Sequence, residues 1–538
     1  MRDTILKALQ DATGEKNISL EFPENEAFGD YSSNVAMVAG HKAEEIVEKL
    51  REDKTLTGLF SKIEVAGPGF INFFLSEKAL LDELASIEKQ QEKYGTSDLG
   101  GGKTVIVDYS SPNIAKRFGI GHLRSTVIGQ SLYNLYRFLG YKVIGDNHLG
   151  DWGTQFGTLL YQIDSKGLNA SEQTIDELEK LYVEFNSEAQ ENEKLWDKAR
   201  AWFKKLEEKD ARAREIWQKV VDTSLKEFEK IYEILGVKID YAYGESFYLD
   251  KMPSVIEELK KKGLLTESQG AKIIEFKDLP PAIVVKSDGA TTYLTRDLAT
   301  IRFRIGEWKP DILIYEVGSD QTLYFRQLFE TVRLLGWKGN SEFVHVAHGL
   351  IRFEHGKMST RKGDTVKLEG VISEAIDRAR KIKDDVQIAT AVGIGAIKYF
   401  DLMHHPSTDI IFDWEKIFVL EGNSAPYLQY TVARANSVLE KGRKSSPKGK
   451  IALNQEELVI LRSLTRFSEI IVIAAKSYSP NLLANYLFDL AQKFNNFYNQ
   501  HRIVGGENEE LRLALTAGTR QVLKNGLAIL GIETPQRM

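Results

Sequence analysis

The sequence predicts a multidomain α/β protein. A doubly wound parallel sheet is split by an insertion, with a small α/β domain before it and an all-helical bundle after it. Three observations carry this. Thr104 to Tyr109 is a near-continuous apolar run, the pattern of a strand buried on both faces. A helix-spaced stretch and a second strand follow within a βαβ length. After Asp413 the chain keeps helical periodicity to its end.

In residues 1 to about 100, an amphipathic helix leads to the loop Phe22–Tyr31. A helical stretch follows, then the strand-like Ile63–Ala66, and Gly67-Pro68-Gly69 turns the chain into Phe70–Phe74. Gly100-Gly101-Gly102 reads as a hinge. Beyond the 104–109 strand, Ser110-Ser111-Pro112-Asn113 breaks the run. Leu123, Val127, Ile128, Leu132, Leu135 and Leu139 keep helical spacing, and Gly140 stops that helix before the strand-like Tyr141–Ile144. Residues of about 165–235 are charged and helical, with no evident chemistry. Ala282–Lys286, Asp311–Tyr315 and Glu342–Val346 return to sheet character and are expected to complete the parallel sheet.

Composition narrows function. The 538 residues contain no cysteine, which excludes a disulfide framework, a cysteine-ligated zinc and a thiol nucleophile. The net charge of −6 argues against coating nucleic acid by bulk charge. That charge is uneven. Residues 425–538 hold fifteen Lys and Arg against nine Asp and Glu, a net +6 that leaves −12 for the rest and points to a nucleic-acid face at that end. No run approaches the roughly 20 apolar residues of a membrane span, and the first residues lack a signal peptide's apolar stretch, so the expected compartment is the cytoplasm.

Two segments carry candidate chemistry. Ser111–His122 fills the turn between a buried strand and a helix, where open α/β sheets bind ligands. Gly119 and Gly121 allow close approach of a nucleotide. The helix N-terminus offers free N–H groups to phosphate, and Lys116 and His122 add donors. The bland alternative is a tight turn with His122 as a helix cap. Gly356–Asp364 packs three cations between glycines and suits a triphosphate whose charge moves during reaction, although alone it equally fits a solvated basic turn.

The two lie 235 residues apart, one in each half of the split sheet. Together they resemble the paired HIGH and KMSKS signatures of class I aminoacyl-tRNA synthetases. Further matches narrow the resemblance to the arginyl-tRNA synthetases. They are SSPNIAK (Ser110–Lys116), GHLRST (Gly121–Thr126), NHLGDWGTQFG (Asn147–Gly157), GESFY (Gly244–Tyr248), TTYLTRD (Thr291–Asp297), KMSTRKGDTV (Lys357–Val366), PYLQYTVAR (Pro426–Arg434) and the terminal Arg537-Met538. The FGDY and AGPGF segments extend the resemblance into the N-terminal domain.

The resemblance implies a Rossmann-type catalytic sheet at 101–165 and 281–375, the second part carrying the KMSK-like loop. It implies an N-terminal domain at 1–100 that touches the tRNA elbow and a connective insertion at 166–280. A helical connection at 376–424 leads to an anticodon-binding bundle at 425–538. It implies ATP-dependent activation of L-arginine and transfer to the 2′-hydroxyl of the terminal adenosine of tRNA(Arg). ATP comes with Mg²⁺; no protein-bound metal and no zinc is expected, and a monomer is the family expectation.

By the same resemblance, Lys116, Gly119, Gly121, His122, Lys357, Met358, Ser359 and Arg361 form the catalytic signatures. Glu245 and Asp297 select the guanidinium, with Tyr293 beside them, and Asn113 and Gln321 hold the α-amino and carboxyl ends. Lys116, Gly121, His122 and Lys357 meet ATP, joined by Gly318, Asp320, His348 and Gly349. His148, Gly150 and Asp151 face the same crevice from the second strand. Phe28, Tyr31, Tyr430, Tyr498 and Met538 approach tRNA. Phe494 and Phe497 are expected in the helical core. Two positions depart from the pattern: Gly119 replaces the first signature histidine, and Thr360 replaces the second lysine. Lys116 is expected to supply the missing phosphate charge.

Other class I enzymes carry a large editing domain, which the charged helical insertion does not suggest, or a cysteine-ligated zinc. A dinucleotide-binding oxidoreductase would need a G-x-G-x-x-G opening a helix after the first strand, and this sequence has none there. A catalytically decayed tRNA-binding relative would be supported by Gly119 and Thr360 alone.

Overall fold

The computed structural model describes residues 1–23, 25–353, 366–442 and 453–538. The N-terminal domain begins with helix Arg2–Thr13. It holds strands β1 (Tyr31–Ser33), β2 (Phe60–Ala66) and β3 (Phe70–Leu75) in an antiparallel sheet ordered β1-β3-β2. Helix Glu77–Gln90 then leaves this sheet and packs on the C-terminal helices Gln455–Thr465 and Glu509–Ile529.

The central sheet is wholly parallel. It contains β4 (Thr104–Asp108) and β5 (Lys142–Asp146), joined by helix Gly121–Phe138. Every residue of β4 is buried, as its near-continuous apolar run predicts. The sheet's other two strands come later in the chain. Between them and β5 lies an insertion that is helical at Ile175–Glu191, Lys194–Glu207 and Ala211–Leu235. The first of these helices starts at a capping box in which Thr174 and Glu177 satisfy each other's backbone N–H groups. The insertion ends in a small antiparallel sheet of β6 (Thr266–Ser268), β7 (Ala271–Ile274) and β8 (Ala282–Val285).

This corrects one expectation. Ala282–Val285 does not belong to the parallel sheet; it is paired with β7. Its burial alternates, with Ile283 exposed, as fits a strand covered on one face.

The chain returns on the other side of β4 with β9 (Ile312–Gly318) and β10 (Glu342–His348), giving the order β10-β9-β4-β5. The order reverses between β4 and β9, so a crevice opens at their carboxyl ends. A two-stranded parallel pair that the sequence did not reveal follows, β11 (Ile351–Phe353) with β12 (Ile410–Phe412). Beyond it the described residues are helical in Ala425–Lys441, Gln455–Thr465, Phe467–Lys476, Asn481–Gln500 and Glu509–Ile529. Phe494 and Phe497 are fully buried there, as expected. No helix among the described residues is long and apolar enough to cross a membrane.

Candidate active site

The loop leaving β4 is backbone-strained. Ser110, Ser111 and Ala115 all take positive φ (74°, 45° and 60°), a region L-residues avoid. Three side chains from three elements hold it there. The Ser110 N–H donates to Ser125 Oγ at 2.9 Å, the Ser111 N–H to Asn147 Oδ1 at 3.0 Å, and the Ala115 N–H to Ser224 Oγ at 2.9 Å. Asn113 forms a parallel bridge with Gly150 beyond β5. A Cβ on Gly150 would overlap Asn113 Oδ1, so any larger residue there would displace the Asn113 side chain.

The loop enters its helix at Gly121, where an added Cβ would meet nothing within 4 Å, leaving open space for a ligand. His122 Nδ1 lies 3.2 Å from the Gly119 N–H and its ring packs edge-on against Phe118. Burial pushes the His122 pKa down against the opposing pull of its Gly119 backbone contact, and the charges of Lys116 and His348 add to the fall, so a neutral imidazole faces the crevice at neutral pH. The segment that follows the second signature is tied to this loop. The Ile120 N–H donates to the Val366 carbonyl at 3.0 Å, the Leu368 N–H donates to the Phe118 carbonyl at 2.9 Å, and Gly119 bridges Lys367. Lys357, Met358, Ser359, Thr360 and Arg361 lie outside the described residues.

Across the crevice sits a group of carboxylates. Glu245 is buried at the start of a 3₁₀ turn, and burial raises its pKa to about 7 despite Arg296, whose Nε is 3.5 Å from Oε2. Asp297 accepts a hydrogen bond from the Tyr324 hydroxyl and faces His148 Nε2 at 3.7 Å. Burial also raises its pKa, with His148 pulling the other way. Tyr293 is exposed at the start of helix Tyr293–Trp308, and the Arg296 guanidinium stacks on its ring at 4.5 Å. Asp151 serves the pocket indirectly. Its carboxylate accepts from the Ser246 N–H (2.8 Å) and hydroxyl (2.5 Å), fixing the turn that presents Glu245.

On the β9–β10 side, Gly318, Asp320 and His348 cluster; a Cβ on Gly318 would come within 2.6 Å of Asp320 Oδ1 and 3.7 Å of His348 Nε2. Burial alone would lower the His348 pKa, but the fully buried Glu316, 2.9 Å from Nδ1, outweighs it and raises the value. Gln321 is exposed at the mouth of the crevice, in the turn that follows β9. Gly349 has a packing reason of its own, since a Cβ would strike the backbone of Thr408 and Asp409 at 2.6–2.7 Å.

Sequence reasoning missed the charges beneath the site. Arg304, fully buried, reaches Asp108 Oδ2 at 2.8 Å and Asp146 Oδ2 at 2.7 Å, tying helix Tyr293–Trp308 to the carboxyl ends of β4 and β5. Arg124 pairs with Asp401 at 3.1 Å, both nearly inaccessible, joining the helix after the loop to helix Val386–Leu402. The legible signal was an acid closing an apolar run, at Asp108, Asp146 and Glu316. Nothing marked Arg304 or Arg124 as the partners.

In the helical bundle the Arg434 guanidinium lies between the rings of Tyr430 (4.9 Å) and Tyr498 (4.7 Å). Both tyrosines are partly exposed and border a groove of about 660 Å³ with Lys441, Arg502 and Met538. Phe28 is exposed on the N-terminal domain. Tyr31 is a correction. Its ring is buried and its hydroxyl donates to Glu469 at 2.7 Å, so it joins the N-terminal domain to the bundle instead of presenting its ring on the surface.

A parallel sheet with its signature loop strained open at the switch point, feeding a helical bundle, has the architecture of a class I tRNA synthetase. Family models agree. The class I (R) tRNA synthetase catalytic domain matches residues 83–414, the DALR anticodon binding domain 428–538 and the arginyl tRNA synthetase N-terminal domain 1–75. The arginine–tRNA ligase of Clostridium botulinum (strain Alaska E43 / Type E3) is 40% identical over 542 residues, covering 96% of both chains. That of Clostridioides difficile (strain 630) is 40% identical over 541 residues, covering 96% of this chain and 95% of its own. The Plasmodium falciparum arginyl-tRNA synthetase structure superposes with a TM-score of 0.82 at 26% identity, covering 100% of this chain and 98% of its own. The Thermus thermophilus structure, at 23% identity, shares the fold with a TM-score of 0.86 and full coverage of both chains. The chain belongs to the arginyl-tRNA synthetase family.

Proposed function

We propose that the chain works as an arginine–tRNA ligase with the crevice between β4 and β9 as its active site. One observation carries the assignment of roles. Two acidic side chains, Glu245 and Asp297, stand at the carboxyl ends of the sheet opposite a loop that presents Lys116 and His122. The first pair fits a planar, permanently charged guanidinium, and the second fits phosphate.

In this reading Tyr293 covers the bound side chain, and Asn113 and Gln321 hold the α-amino and carboxyl ends. The arginine carboxylate oxygen attacks the α-phosphorus of ATP. The bond to the β-phosphate oxygen breaks, releasing pyrophosphate and leaving arginyl-adenylate. The 2′-hydroxyl of the terminal tRNA adenosine then attacks the arginyl carbonyl, loses its proton and expels AMP. No covalent enzyme intermediate forms, so catalysis rests on positioning and charge stabilisation. Neutral His122 donates from Nε2, and Lys116 neutralises charge on the triphosphate, with Lys357 and Arg361. Gly318, Asp320, His348 and Gly349 border the adenosine. The donors facing the phosphates are nitrogens, which suit phosphate oxygens better than a metal; magnesium arrives on ATP and screens its charge there. Tyr430, Arg434, Tyr498 and Met538 offer stacking faces and charge to unpaired anticodon bases, and Phe28 meets the tRNA elbow.

Arginine-dependent ATP–pyrophosphate exchange, run with and without tRNA(Arg), tests this. Exchange with tRNA present supports it; none under any condition would favour a decayed tRNA-binding relative. Lys116→Ala should lower the exchange rate strongly with little change in arginine affinity.

A further inference from the structure

We propose that the insertion's first helix, Ile175–Glu191, positions the phosphate-facing lysine, with Tyr182 seating the Lys116 ammonium and Asp176 fixing the cations around it. This rests on the reading that Lys116 meets the triphosphate. The sequence showed no chemistry in this helix, yet two of its side chains reach the signature loop. The Lys116 ammonium lies 5.6 Å from the centre of the Tyr182 ring, a cation–π contact, and the ring itself is partly buried against the core. One helical turn or two earlier, Asp176 takes the neighbouring Arg117 as an ion pair and holds Lys367 Nζ at 3.0 Å. Lys367 is the residue whose backbone bridges Gly119, and Arg117 also pairs with Glu369. One helix therefore contacts the loop after β4 and the strand-like segment that leads away from the second signature.

The capping box at Thr174 and Glu177 fixes where this helix begins, and so where Asp176 stands. Lys116 is solvent-exposed, and an exposed lysine carries much rotamer entropy. A ring under its ammonium removes most of the unproductive directions before substrate arrives. The geometry makes Tyr182 and Asp176 positioning residues that act through Lys116 and its neighbours, without touching substrate.

The test is a double-mutant cycle in tRNA-dependent ATP–pyrophosphate exchange on the full chain, using Tyr182→Leu, Tyr182→Phe, Lys116→Ala and the Tyr182→Leu/Lys116→Ala pair. Tyr182→Leu should lower kcat about three- to fivefold with the arginine KM unchanged. Tyr182→Phe, which keeps the ring, should restore the rate. In the Lys116→Ala background Tyr182→Leu should add nothing. Asp176→Asn, exposed and isosteric, should give a similar loss of kcat and guards against misfolding of the leucine variant. An unchanged kcat for Tyr182→Leu and Asp176→Asn beside a strong Lys116→Ala defect overturns the positioning role and leaves the function of Lys116 standing. An equal Tyr182→Leu loss with and without Lys116 marks the ring as merely structural and also overturns it. No defect in Lys116→Ala removes the reading on which the proposal rests.

Discussion

Glu245, proposed to hold the arginine guanidinium, should make arginine recognition a proton-competed event. Its carboxyl is buried, and its pKa is pushed up to about 7, mainly by burial, with Asp297 and Asp151 adding to the rise and Arg296 and His148 opposing it. The substrate guanidinium stays charged throughout the accessible pH range and pairs with the carboxylate form only. Protons therefore compete with arginine, and affinity falls as pH drops through about 7. With a pKa of about 7, roughly nine-tenths of the sites are ionised at pH 8 and roughly one-tenth at pH 6. The arginine Kd should rise about tenfold between these values, equivalent to about 1.4 kcal/mol. Isothermal titration calorimetry of arginine alone reads this without interference from ATP ionisation. Glu245→Gln should weaken binding by about 1.5–3 kcal/mol, the value of a charge-assisted hydrogen bond, and should flatten the profile. A wild-type Kd that stays constant from pH 6 to 8, or a glutamine variant that keeps the full slope, would refute the assignment.

Three other perturbations test the scaffold and the tRNA face. Arg304→Ala strands Asp108 and Asp146 in the core and should cost about 3–5 kcal/mol in urea unfolding; a loss under about 1 kcal/mol would mean that the pair is dispensable. Gly349→Ala forces a Cβ into the Thr408–Asp409 backbone and should destabilise by about 1–3 kcal/mol in the same assay. Tyr498→Ala removes one of the rings flanking Arg434 and should raise the tRNA KM about 5- to 100-fold in aminoacylation, with arginine binding unchanged. An unmoved tRNA KM would place the anticodon elsewhere.

Much of the fold was legible because its signals are local. The buried strand at 104–108 announces itself by a near-continuous apolar run, and the helix after it by spacing. The split of the sheet followed from where such runs recur. What was misread depends on partners distant in sequence. Ala282–Val285 is as strand-like as β9, but nothing local says that it pairs with β7 and not with the parallel sheet. Tyr31 sits in a loop motif that suggests recognition, yet its ring is spent on the interface with Glu469, 438 residues away. The carboxylates Glu245 and Asp297 were identified through motif resemblance, not periodicity. The structure adds what resemblance lacked: Asp151 braces the Glu245 turn, Arg296 pairs with Glu245, and Arg304 anchors the strands below. The insertion's first helix reads from sequence as a solvated charged face, because the lysine and arginine it meets lie about sixty residues earlier.

Paired carboxylates at the carboxyl ends of the sheet, if they select the substrate guanidinium as proposed, should reject a neutral analogue of arginine. Charging of tRNA(Arg) with arginine against citrulline, which is nearly isosteric but neutral, tests it most directly. Efficient arginylation with citrulline rejected by at least about a thousandfold in kcat/KM is the predicted result, since buried carboxylates would otherwise be left unpaired. Comparable charging of both amino acids would contradict it.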